Sequence, residues 1–193
     1  MATSEVGDFP LSFSPDGQLL VFVELNPNTQ RDIWVLRLSD RKLQPFLRTR
    51  FNETVPRFSP DGHWLAYMSD ESGHYEIYIQ PFPGPGGKYQ ISSEGGAEPV
   101  WNPNGRELFY RCGYKMMAVD VMTQPSFSTG KPRVLFEGLY LPSGVTPSYD
   151  VSPDGQRFLM LKAAQQGQPA AVQINVVLNW FEELKQKVPV GKK

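Results

Sequence analysis

The pentapeptide FSPDG occurs at residues 13–17 and again at 58–62, followed by WNPNG at 101–105 and VSPDG at 151–155. Aligned on Pro15, Pro60, Pro103 and Pro153, the turns are spaced by 45, 43 and 50 residues. A recurrence of about 45 residues means stacked supersecondary units, each too small to bury its own apolar face. The local chemistry of the turn explains its composition. Pro presets φ at the first central position, Asp or Asn accepts a backbone N–H, and Gly takes the left-handed conformation. Asp16, Gly17, Asp61, Gly62, Gly105, Asp154 and Gly155 are therefore read as structural turn residues.

An apolar run follows each turn: QLLVFVEL at 18–25, HWLAYMS at 63–69, RELFYR at 106–111 and QRFLMLKA at 156–163. A polar turn and a second run come next, IWVLRLS at 33–39, YEIYIQPF at 75–82, KMMAVDVM at 115–122 and AAVQINVVL at 170–178. Three units add a third, LQPFLR, KYQIS and RVLFEG, and the residues just before each turn supply an innermost strand. None of these runs holds a 3.6-residue apolar period over ten or more residues, so they are strands. Four antiparallel strands per unit of about 45 residues make a propeller blade. The expected fold is an all-β propeller over residues 1–178, with blades at about 11–48, 57–92, 100–138 and 149–178. Residues 179–193 are read as a short C-terminal helix and tail. There Asn179 is the N-cap, Glu182 completes a capping box and Pro189 stops the helix. The Phe or Trp before each turn is expected to pack between neighbouring blades.

Composition supports this reading. The 17 glycines and 18 prolines suit short strands and many turns, and an aromatic content of 12% suits half-buried sheets. A net charge of −1 supplies no field for nucleic acid or an anionic membrane. Cys112 stands alone, which excludes an internal disulfide and a multi-cysteine metal site. No apolar run approaches the roughly 18 residues of a membrane span, and MATSEVGDFP lacks the pattern of a secretory signal. Neither observation assigns a compartment.

The string FSPDGHWLAYMSDESGHYEIYIQPFPGPGGKYQISSEGGAEPVWNPNGRELFYR and the later SPDGQRFLML resemble the TolB-like, WD-type β-propeller repeat. The blocks GKPRVLFEGLY and QINVVLNWFEELK further resemble the C-terminal propeller region of certain bacterial serine/threonine protein kinases. The chain carries no Gly-rich loop before a V-A-I-K-like strand, no HRD and no DFG, so that kinase chemistry is not expected of it. The resemblance implies propellers of six to eight blades, against four repeats here. SEVGDFPLSFSP at 4–15 aligns with SEGGAEPVWNP at 93–103, so the first repeat opens part-way through a unit. The sequence reads as the C-terminal part of a larger propeller, and self-association into a homodimer is one way to complete the ring.

Ligands of such a fold are expected at the loops leading into the innermost strands and at the hairpins sharing that face. Those loops carry Asp8, Glu53, Glu94 and Glu98, with Asp70, Glu71 and His74 further out. Glu53, Glu98 and Asp8 are the candidates for acid–base chemistry, since two carboxyls at the right separation hydrolyse glycosides. Glu94, His74 and Asp70 are the candidates for ligand binding. The plainer reading, solvated loop residues, is preferred. His63 and His74 stand 11 residues apart, not at the i, i+4 spacing of a helical metal pair, and no metal or other cofactor is expected. GPGGKYQ at 84–90 precedes a strand and not a helix, so it reads as a hairpin loop and not a phosphate cradle. The function expected is a non-catalytic sensor or interaction module for a protein or small-molecule ligand. The alternative is a glycosidase- or esterase-type hydrolase, or a lyase, at the channel mouth.

Overall fold

The computed structural model describes residues 8–142, 146–162 and 174–177. They form sixteen strands: β1 Asp8–Phe13, β2 Leu19–Asn26, β3 Gln30–Arg37, β4 Leu43–Leu47, β5 Glu53–Phe58, β6 Trp64–Ser69, β7 Glu76–Pro81, β8 Tyr89–Gln90, β9 Ala97–Trp101, β10 Glu107–Cys112, β11 Lys115–Met122, β12 Ser128–Thr129, β13 Arg133–Glu137, β14 Tyr149–Val151, β15 Phe158–Leu161 and β16 Ile174–Val177. All pairings between them are antiparallel. The sheets run in sequence order, β1 to β4, β5 to β8, β9 to β13 and β14 to β16, one sheet per repeat. In the third blade the outer position is divided, because β12 and β13 both pair with β11. The helix expected at 179–193 lies outside the described residues.

Each repeated turn closes on the pattern its sequence dictates. The amide of Gly17 donates to Ser14 O, Gly62 to Ser59 O, Gly105 to Asn102 O and Gly155 to Ser152 O, all at 2.8–2.9 Å. Side-chain oxygens of Asp16, Asp61, Asn104 and Asp154 accept the amide two residues on. The Ser14 hydroxyl bonds the Asp16 carboxylate, which keeps that acid below its ordinary range, and Ser152 does the same for Asp154. All four glycines have φ between 68° and 74°.

The turns also touch one another. A Cβ on Gly62 would lie 3.3 Å from Pro15 Cδ, and one on Gly155 would lie 2.4 Å from Asn102 Oδ1. Glycine is thus required twice over, by its dihedral and by the preceding turn packed against it.

Apolar residues alternate along the strands and fill three seams. Val21, Val23, Ile33 and Val35 of the first blade meet Phe58, Leu65, Tyr67 and Tyr78 of the second. Ala66, Met68, Ile77 and Ile79 of the second meet Trp101, Leu108, Tyr110, Val119 and Val121 of the third. Phe109, Met116, Ala118 and Leu135 meet Tyr149, Phe158 and Met160 of the fourth. The aromatic before the turn packs as expected at Phe58 and Trp101, whose exposures are 7% and 6%. Trp101 Nε1 also donates to Arg57 O across the seam at 3.2 Å. Phe13 departs from the expectation at 60% exposure, because no sheet of the described residues precedes its own.

Gly17→Ala should cost about 1–2 kcal/mol, the left-handed backbone penalty alone, since nothing lies within 4 Å of its Cβ position. Gly155→Ala should cost more, because Asn102 is pinned by its own bonds to Asn104 and Glu107 and cannot simply turn aside. Urea unfolding of the two variants makes the comparison, and equal costs would contradict turn stacking.

Candidate functional site

The inner strands of the first three blades begin earlier than the sequence suggested, and this relocates the candidate acids. Glu53 and Glu98 sit on β5 and β9 and are 2% and 1% exposed, so they are not solvated loop residues. A bulge lies at the same place in three blades. Register shifts between Pro10 and Ser12, between Thr54 and Arg57, and on the β9 side between the partners of Phe109 and Arg111. Two inner-strand residues there oppose one on the neighbour, Phe22, Tyr67 or Tyr110. Val55 and Glu98 occupy equivalent bulge positions with φ of 51° and 57°. The bulge bends the strand and carries the Glu98 carboxylate inward. Its Oε2 accepts from the Ser148 amide at 2.9 Å and the Ser148 hydroxyl at 2.7 Å, and its carbonyl accepts from the Tyr149 hydroxyl at 2.8 Å. Burial pushes that phenol well above its ordinary value.

Arg111 completes this corner. It is 5% exposed and donates to Leu141 O at 2.8 Å, Tyr140 O at 3.0 Å and Ser148 Oγ at 3.1 Å. The segment leading into the fourth blade is therefore stapled to the third by a buried acid and a buried guanidinium.

Two further acids at equivalent positions were not singled out from sequence. Asp32 and Glu76 open the buried part of β3 and β7, and both are 0% exposed. Glu76 holds the crossover into the third blade: Ser92 Oγ donates to Oε2, Gly95 N to Oε1 at 2.9 Å, and His74 Nε2 lies 2.6 Å from Oε1. The Ser92 hydroxyl in turn accepts Ile77 N at 2.8 Å. A Cβ on Gly96 would lie 2.3 Å from Ser92 Oγ and 2.7 Å from Ile77 Cγ1, so the site has no room for a side chain there.

The first crossover solves the same problem differently. Asp32, one methylene shorter, accepts from Thr29 Oγ1 at 2.6 Å and faces Arg48 Nε at 3.6 Å. The position equivalent to Gly96 is Glu53, whose Oε1 accepts from Thr49 Oγ1. Burial pushes the Glu53 carboxyl up to about 7, the Thr49 hydrogen bond opposes this, and the charge of Asp32 adds to it. The signal available in sequence was the acid before Ile33 and Ile77 in two repeats, followed by Thr49 and Ser92 one repeat apart.

The remaining candidates stay at the surface. Asp8 is exposed and pairs across the strands with Glu24, which pairs in turn with Asp32, so three acids share one row of the first blade. Asp70 does not reach outward; its Oδ1 accepts Asn52 N at 2.9 Å and its Oδ2 accepts Asn52 Nδ2 at 2.7 Å. Glu71 pairs with Lys88. Glu94 is exposed, and its carbonyl accepts from Cys112 Sγ at 3.2 Å. Glu53 and Glu98 are thus engaged at different seams by different partners. Among the described residues no group of three or more His, Cys, Asp or Glu is placed to hold a metal ion, and no helix is long and apolar enough to cross a membrane.

What the loops present is an open cleft of about 400 Å³ between the first two blades, lined by Leu25, Asn26, Pro27, Gln30, Arg31, Asn52 and Tyr75. Gln30, at φ 73°, bonds Asn52 Nδ2 at 2.8 Å, and Arg31 donates to the Tyr75 hydroxyl at 3.3 Å. Asp70 fixes Asn52 from below. The cleft offers amide, guanidinium and phenol groups in fixed positions. Other clefts lie elsewhere. One of about 290 Å³ on the rim is apolar, lined by Leu19, Val35, Phe46 and Phe82 among others. One of about 870 Å³ lies between the Pro60 and Asn104 turns on the opposite face.

The PD40 family, described as the TolB beta propeller domain, matches residues 7–186. Among curated proteins, the uncharacterized peptidase YuxL of Bacillus subtilis (strain 168) is 29% identical over 103 residues, covering 50% of this chain and 16% of that protein. Among solved structures, TolB from Acinetobacter baumannii superposes with a TM-score of 0.66 at 24% identity, covering 85% of this chain and 39% of that one. A putative TolB from Agrobacterium tumefaciens gives 0.61 at 18% identity, covering 79% and 57%. The chain therefore spans well under two thirds of each, and at these identities the structural likeness speaks for the fold.

Replacing Glu98 by Ala should cost about 2 kcal/mol or more, because both Ser148 donors lose a buried acceptor. Glu98→Gln should cost distinctly less, since an amide oxygen can still accept both. Gly96→Ala should destabilise by about 1–3 kcal/mol through crowding against Ser92 and Ile77. Thermal and urea unfolding of the three variants tests the ranking.

Proposed function

The chain belongs to the TolB β-propeller domain family, and from that premise we propose that it is a non-catalytic interaction or sensing module of a larger propeller. The observation that carries this reading is the division of labour on the loop face. Asp32, Glu53, Glu76 and Glu98 are buried and hold crossovers, while the cleft formed by Gln30, Arg31, Asn52 and Tyr75 stays open. Carboxyls buried in the joints between blades are not presented to a substrate in the cleft, whereas rigidly held polar groups around an open cleft suit recognition of a polar ligand or chain segment. Propellers host many chemistries, so the site and not the fold bears the argument.

The ring reading extends this. Leu159 and Leu161 of the fourth blade stand at the positions of Ala66 and Met68, which are 0% and 7% exposed in the second seam. In the fourth blade the two leucines are each 43% exposed, and Phe13 is 60% exposed on the first. Seam residues without a seam at both ends are satisfied by further blades, and a second copy of this chain supplies them by head-to-tail pairing.

A panel of chromogenic glycosides and esters should show no turnover. Turnover abolished in both Glu53→Gln and Glu98→Gln would establish the hydrolase alternative instead. Light scattering at micromolar concentration should give twice the 21.8 kDa chain mass. A monomer mass would remove the second-copy completion.

A further inference from the structure

The first seam contains a pair of acids that the crossover geometry leaves unfinished. Asp32 reaches in from β3 and Glu53 from β5, at 0% and 2% exposure. One oxygen of each is satisfied, by Thr29 and Arg48 for Asp32 and by Thr49 for Glu53. The other oxygen of each, Asp32 Oδ1 and Glu53 Oε2, is buried without a hydrogen-bond partner. The next seam has no such defect, since Glu76 has both oxygens occupied and Gly96 stands where Glu53 would be. Two orphaned acceptors buried at one seam call for a donor. A divalent cation would need six or more oxygens, and the described residues assemble no metal-binding group of three acids, histidines or cysteines. A proton needs no coordination sphere.

We propose that the buried Glu53 carboxyl keeps its proton beside the buried Asp32 carboxylate across the first seam, which makes the junction of the first two blades a proton-sensitive joint. The charges acting on the pair come from every side. Arg48 faces Asp32 from the crossover, Glu24 stands opposite it on β2, Glu71 acts from the β6–β7 hairpin with Lys88 paired to it, and the buried Tyr67 phenol lies beneath on β6. A single guanidinium, half exposed, offsets only one of the two buried carboxylates. Loss of the Glu53 proton therefore sets two like charges against each other where water cannot screen them.

The direction of the pH effect follows. The folded Glu53 carboxyl ionises at about 7, against 4.5 for its ordinary value. The folded state thus holds a proton that the unfolded state has released, so this stabilisation is present on the acidic side and is lost as pH rises through about 7. The inference stands on the seam and is independent of what the Asn52 cleft binds.

The test is urea unfolding of the full chain from about pH 5 to about pH 8, with infrared spectra near pH 6. The wild-type midpoint should fall as pH rises, and a protonated-carboxyl stretch should be present. Glu53→Gln should lose the slope, lose the band and unfold at a higher midpoint than wild type near pH 8. His74→Gln is the control for imidazole titration beside Glu76 and should keep the slope. If Glu53→Gln does not fold, Asp32→Asn should keep a smaller slope, since burial still raises Glu53 and only the neighbouring charge is removed. A wild-type slope retained in Glu53→Gln, or undiminished in Asp32→Asn, would overturn the proposal. So would a midpoint raised near pH 8 by calcium or magnesium in wild type but not in Glu53→Gln, which would put a cation in place of the proton.

Discussion

No sheet in this chain has a core of its own. Each blade is one layer thick, and its apolar residues become interior only when the next blade covers them. Every other feature follows from that dependence. The repeat length is the chain needed to build one layer and return to the axis. The seams pack aromatic rings closely, as with Phe109 against Phe158 at 4.9 Å and edge-on, beside Ala118. The turns stack glycine on proline because the blades must approach closely at that end. The blades at either end of the described array keep seam residues exposed for the same reason.

The opposite end of the blades is held by polar chemistry. There the chain crosses from an outer strand to the next inner strand, leaving backbone amides that need acceptors in a poorly solvated corner. Buried acids supply them. Glu76 takes the Gly95 amide, and Glu98 takes the Ser148 amide. These carboxylates are costly to bury and are tolerated because they satisfy donors that nothing else reaches. The same economy explains why the first crossover differs. Shortening Glu to Asp at position 32 opens a space that Glu53 fills, and the result is a joint with an excess of acceptors.

Much of the fold was legible in the sequence because turn chemistry is local. Pro15-Asp16-Gly17 and its three counterparts needed only three or four residues to specify their geometry, and their spacing gave the blade count. Strand order followed, since consecutive strands joined by short turns have few alternatives. The inner-strand starts were misread because Glu53-Thr54-Val55-Pro56 and Ala97-Glu98-Pro99 look like turn sequences. Their prolines sit in strands at a bulge, where a missing donor is tolerated. The acids of the crossovers were equally hard to see. The sequence presents Glu98 as one charged residue among many, and nothing local indicates that Ser148, fifty residues on, supplies its donors.

The amino-acid sequence by itself determined the unit: a four-stranded antiparallel layer hinged at a Pro-Asp-Gly or Pro-Asn-Gly corner, repeated four times, with an apolar face on each side. Those properties rest on backbone dihedrals and on the two-residue period of a strand, both set within a few neighbouring residues. Tertiary structure alone decided which acids are buried, which hydroxyls they accept from, and which cleft remains open. Those outcomes depend on distance between blades, and a methylene more or less at position 32 or 76 changes them without leaving any trace in the local pattern.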